Sequence, residues 1–140
     1  LIRDRIHAMP VEESDLAAAA ARYAQSLQRF AGSPPIFDVA HLGLGPDGHT
    51  ASLVPGDPVL DVYERDVAIT GVYQERLRMT LTYPLLNRSR QILWLVTGGE
   101  KAPMLVRLLN GDATIPAGRI RHERAVVMAD GAAAEHLARI

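Results

Sequence analysis

The chain has 140 residues, 48% hydrophobic and 22% charged, which suits one globular domain with a real core. Lys plus Arg number 15 and Asp plus Glu 16; a net charge of -1 gives no electrostatic reason to expect nucleic acid or an anionic membrane as a partner. There is no cysteine, which excludes disulfides, thiolate metal sites and a cysteine nucleophile, and fits a cytoplasmic protein.

Residues 1–12 read as the tail of a helix followed by a short extended piece, Ile6 to Val11. Interrupted by Arg3, Asp4 and Arg5 and with no apolar core after them, these residues do not read as a signal peptide. The first residue is Leu1, not methionine, so we expect a longer protein around this segment. No apolar run reaches the ~20 residues of a membrane span. Ser14 is a plausible N-cap for a helix whose apolar face carries Leu16, Ala20, Tyr23, Leu27 and Phe30. Gly32-Ser-Pro-Pro35 ends it.

Ile36 to Leu42 is apolar except for Asp38 and suits a buried parallel strand. A glycine-rich loop follows, then at most a short helix over Thr50–Val54 and a polar surface loop over 57–66. Val67 to Tyr73 and Arg78 to Thr82 read as extended, and Thr82 to Ser89 as a short helix with Pro84 near its start. Gln91 to Thr97 is the best strand by composition. Lys101 to Leu109 is a helix with apolar Met104, Leu105 and Leu108 on one face. Ala125 to Met128 is a last strand, and Asp130 caps a final helix, Ala132 to Ile140. This alternation predicts a single α/β domain with a mainly parallel sheet flanked by helices.

The unusual chemistry concentrates between Gly43 and Gly56. Gly43, Gly45 and Gly48 match G-x-G-x-x-G, a dinucleotide signature only in the right context. Pro46 stiffens the loop, Asp47 would repel a pyrophosphate, and the helix that must follow is too short before Pro55-Gly56. The other reading pairs Asp47 with His49. Histidine exchanges a proton near neutrality, a neighbouring carboxylate can orient it, and flanking glycines let substrate approach the backbone. A plain Asp-Gly turn is the alternative for so short a motif.

The longer stretch Gly43-Leu-Gly-Pro-Asp-Gly-His-Thr-Ala-Ser-Leu-Val-Pro-Gly56 resembles the signature of 6-phosphogluconolactonases. Arg78-Met-Thr-Leu-Thr82, Val96-Thr-Gly-Gly-Glu-Lys-Ala102, Ile115-Pro-Ala117 and Asp130-Gly-Ala-Ala133 resemble further family motifs in the same order. Glucosamine-6-phosphate deaminases share the Asp-Gly-His core but continue with a glutamate-containing stretch. Thr50-Ala-Ser-Leu-Val54 lacks that acid, which disfavours the deaminase.

The resemblance implies a NagB/RpiA-like, modified Rossmann fold and hydrolysis of 6-phospho-D-glucono-1,5-lactone in the pentose phosphate pathway, without metal or cofactor. It implies His49 as general base, Asp47 as its support, Gly43, Gly45 and Gly48 against the substrate, and Lys101 on the 6-phosphate. Arg78 reads as structural before cleft-lining, and His41 as a packed core histidine before a ligand. The run Val72-Tyr-Gln-Glu-Arg76 departs from the family's proline-rich segment, and Val54 stands where a phenylalanine is usual. The family's N-terminal Gly-Ser-Thr and Asp-Glu-Arg motifs do not occur in this chain. An N-terminal part of the same protein, with further strands, is therefore the expected partner. A non-catalytic sugar-phosphate sensor on the same fold is the competing reading.

Overall fold

The computed structural model describes residues 3–137. Asp15, one residue after the expected cap, starts the first helix: its carboxylate accepts the Ala18 N–H at 3.0 Å. Helix α1 (Leu16–Ala31) ends at Gly32, whose φ of 92° is open to glycine. Ala19, Ala20 and Leu27 are buried against Val67, Met79 and Leu85. Phe30, expected on that face, is instead exposed and stacks on His7 at 3.7 Å.

Three parallel strands form the main sheet in the order β1 (Val39–Gly43), β4 (Gln91–Val96), β5 (Ala125–Ala129). Strands β2 (Val67–Ile69) and β3 (Met79–Leu81) form a separate antiparallel hairpin, and α2 (Tyr83–Arg88) follows it. The β2 ladder stops early because the Gly71 N–H turns to the Asp57 carboxylate, 2.9 Å from Oδ2. Helix α3 (Ala102–Leu109) buries Leu105 and Leu108 in the core with Trp94, Val96 and Ile120. A parallel α/β architecture therefore stands as expected.

Two expected helices change. Thr50 to Val54 is a turn, not a helix. Leu53 N–H donates to the Thr50 carbonyl at 2.8 Å, Ala51 has φ 50°, and the Ser52 N–H goes to Thr80 Oγ1 at 3.2 Å. Those partners replace the helical ones. At the C-terminus Asp130 does cap, accepting the Ala133 N–H at 2.8 Å, but residues 131–136 form successive turns. The last three residues of the expected helix lie outside the described residues.

The sheet is apolar on both faces, as a parallel sheet should be, but only one face is covered among the described residues. On the other, Val39 is 50%, Leu95 47%, Val126 43% and Met128 55% exposed. In register these residues, with exposed His41, share one side. His41 is thus not in the core. It lines a cavity of about 270 Å³ with Gly43, Ser52 and Thr80.

Candidate active site

Strand β1 runs straight into the glycine loop, so the loop emerges at the carboxyl end of the sheet, the usual place for ligands in open parallel sheets. Its shape is set by internal bonds. Gly45 N–H donates to the His49 carbonyl at 2.9 Å and Gly48 N–H to the Gly45 carbonyl at 3.0 Å. The hydroxyl of Thr50, fully buried, donates to the Gly43 carbonyl at 2.8 Å and ties the loop exit to its entry. Gly48, at φ 84°, lies against Ile115: a Cβ there would come within 2.7 Å of the Ile115 Cβ. The Ala117 N–H donates to the Gly48 carbonyl at 3.0 Å, which makes residues 115–117 the loop's buttress. Tyr83 fixes the buttress in turn, its hydroxyl donating to the Pro116 carbonyl at 3.0 Å. Burial pushes that phenol up to about 12.

Within this frame Asp47 and His49 meet. Asp47 Oδ1 accepts the His49 backbone N–H at 3.1 Å and lies 2.6 Å from His49 Nδ1. A carboxylate accepts, so Nδ1 carries a proton, and in the neutral imidazole Nε2 keeps its lone pair. Partial burial pushes the Asp47 carboxyl up. The His49 backbone N–H and side chain outweigh this and hold it below its usual value. The two side chains remain 39% and 32% exposed, within reach of a substrate. Gly45 makes room for the pair. Gly43 opens onto the cavity, and a Cβ there would meet nothing within 4 Å.

Lys101 lies after β4, the parallel neighbour of β1, so its turn and the glycine loop lie at the same end of the sheet. It closes a 3-10 turn, Gly99–Lys101, that leads into α3. The Asp130 carboxylate accepts the Gly98 N–H at 3.1 Å and joins this turn to the end of β5. Lys101 has no carboxylate within 4.0 Å among the described residues. No cluster of three His, Asp or Glu side chains able to hold a metal occurs among the described residues. No described helix is long and apolar enough to cross a membrane.

Sequence reasoning missed two contributors. Thr50 stood in a recognised motif, but its bond to Gly43 depends on the turn. Tyr73 lies in the stretch that departs from the expected pattern, yet its ring centroid is 6.4 Å from that of His49. An aromatic in an otherwise polar hairpin tip was the available signal.

A family model described as glucosamine-6-phosphate isomerases/6-phosphogluconolactonase matches residues 1–129. The chain is 41% identical to a 6-phosphogluconolactonase of Rattus norvegicus over 81% of its own length and 44% of the relative's. It is 36% identical to a 6-phosphogluconolactonase of Streptomyces coelicolor, covering 96% of this chain and 57% of that one. The crystal structure of a 6-phosphogluconolactonase from Thermotoga maritima superposes with a TM-score of 0.67 at 31% identity, over 81% of this chain and 50% of that one. The chain thus spans about half the length of the curated relatives it matches. With the parallel sheet, the carboxyl-end loop and a match over nearly all its residues, the chain belongs to the glucosamine-6-phosphate isomerase/6-phosphogluconolactonase family.

Proposed function

We propose that the protein carrying this chain hydrolyses 6-phospho-D-glucono-1,5-lactone to 6-phospho-D-gluconate, with His49 as general base. The observation that carries this reading is the 2.6 Å contact between His49 Nδ1 and Asp47 Oδ1, which leaves Nε2 as the proton acceptor. Nε2 takes a proton from water as its oxygen attacks the lactone carbonyl. The tetrahedral intermediate then breaks its ring C–O bond, and the imidazolium returns the proton to the departing ring oxygen. Asp47 stabilises the imidazolium and keeps the ring oriented. Such positioned proton transfer contributes roughly 10²–10⁴-fold.

Gly43, Gly45 and Gly48 face the substrate. With the Gly45 and Gly48 N–H groups engaged inside the loop, these two contribute room and shape, not hydrogen bonds. Lys101 binds the 6-phosphate, helped by the N-terminus of α3. No metal or cofactor takes part, and the setting is cytoplasmic. An N-terminal part of the same protein covers the open sheet face and completes the phosphate site.

The test is an assay of the full-length protein with freshly made lactone and, separately, with glucosamine 6-phosphate. Lactone loss far above the spontaneous rate, with no ammonia released, is expected. Ammonia release, or sugar-phosphate binding without turnover, would overturn the reading in favour of a deaminase or a sensor.

A further inference from the structure

The segment joining β2 to β3 forms a projecting arm. Tyr73 N–H donates to the Arg76 carbonyl at 3.0 Å and Arg76 N–H to the Tyr73 carbonyl at 3.2 Å, closing a two-residue hairpin turn. Its central residues, Gln74 and Glu75, have φ of 50° and 64°. This type I′ geometry favours Asn-Gly, and neither residue here is glycine or asparagine. Non-glycine residues persist at positive φ where surrounding structure holds them, and such strain gathers at functional sites.

The arm also inverts the usual arrangement of side chains. Val72 is 73% and Leu77 50% exposed, whereas Tyr73 and Arg78 are half-buried. The Arg78 guanidinium lies over the Tyr73 ring, 5.1 Å from its centroid, and donates to Gln74 Oε1 at 2.9 Å. Below the turn, Arg78 N–H donates to the Thr70 hydroxyl at 3.1 Å, and Thr70 is only 4% exposed. The arm is thus tied at its base and clamped across its tip. It presents Tyr73 to His49 at 6.4 Å between centroids and a 58° tilt, inside the range of favourable aromatic pairs.

We propose that Tyr73 is a positioning residue for His49, held against the imidazole by the strained turn and by Arg78 stacked on its ring. This rests on His49 being the general base. Asp47 orients the ring at Nδ1, one hydrogen bond about which the imidazole can still tilt. The Tyr73 ring supplies the second restraint and so fixes the direction of the Nε2 lone pair. Arg78, read from sequence as structural, acts through Tyr73 as its clamp.

The test uses the full-length protein with Tyr73→Ala, Tyr73→Phe and Arg78→Met. Tyr73→Ala is expected to lower kcat on the order of tenfold, the rate equivalent of losing one well-packed aromatic pair. KM is expected to change little, and Tyr73→Phe to restore kcat, because the ring and not the hydroxyl makes the contact. Arg78→Met is expected to fall between the two. In parallel, the His49 ring resonances are followed by NMR; loss of the Tyr73 ring current is expected to move them in Tyr73→Ala and not in Tyr73→Phe. Unmoved resonances in folded Tyr73→Ala would overturn the positioning contact itself. Moved resonances with wild-type kcat, or an effect confined to KM, would overturn its catalytic role. A wild-type protein without hydrolysis would overturn the lactonase reading instead, and the resonances would still decide the contact.

Discussion

A methyl group on the α-carbon of Gly45 would sit 2.8 Å from Asp47 Oδ1 and closer still to His49 Nδ1. The acid–imidazole pair therefore depends on a residue without a side chain. Gly45→Ala is expected to push the pair apart, costing about 1–3 kcal/mol if the loop holds its shape. Displacement on this scale is expected to lower kcat/KM by about 10²-fold. Thermal unfolding and steady-state kinetics on the same preparation check both figures.

Asp47 supplies a pH-dependent contribution whose sign follows from its lowered pKa. A carboxyl that ionises more easily folded than unfolded adds stability above its usual 3.8, and that stability is lost as pH falls through the lowered folded value. The side chain is 39% exposed, so screening keeps the contribution below about 1 kcal/mol. Melting curves of wild type and Asp47→Asn are expected to differ slightly at neutral pH and converge well below pH ~4. Activity is expected to fall more than stability, because the amide no longer stabilises an imidazolium.

Much of this arrangement was legible in the sequence. The run Gln91 to Val96 became the central strand because its β-rich apolar residues from Ile92 to Val96 suit a position between two parallel neighbours. Asp47 and His49, two positions apart across one glycine, meet through purely local geometry. What could not be read depends on long-range partners. Thr50 to Val54 has the composition of a short helix, but Thr80, 28 residues further on from Ser52, captures the Ser52 N–H. Tyr73 reaches His49 only because Thr70, Gln74 and Arg78 shape the arm. His41 alternates onto a face whose covering no local pattern encodes.

The buttress behind the loop predicts an effect at a distance. Tyr83 is 2% exposed and its hydroxyl is bonded to the Pro116 carbonyl, beside the Ile115–Ala117 segment that supports Gly48. Tyr83→Phe is expected to cost about 1–2 kcal/mol, since the carbonyl loses a buried partner. A modest loss of kcat should accompany it as the loop loosens. Urea unfolding and kinetics at saturating substrate measure the two.

The open sheet face gives a test of the proposed N-terminal part. Leu95 is 47% exposed here, so Leu95→Lys is expected to change the stability of the 140-residue chain by less than about 0.5 kcal/mol. In the full-length protein, where we propose an N-terminal part packs on this face, the same change is expected to cost about 2–4 kcal/mol by burying a charge. Equal effects in the two would contradict that packing.

Lactone hydrolysis by the full-length protein and by its His49→Gln variant, at matched folding, bears most directly on the reaction proposed. Glutamine keeps a polar group of similar size but cannot act as a base. The expected result is a variant slowed by roughly 10²–10⁴-fold in kcat with the fold unchanged. A folded His49→Gln protein that hydrolyses the lactone at the wild-type rate would contradict the assignment of His49 as general base.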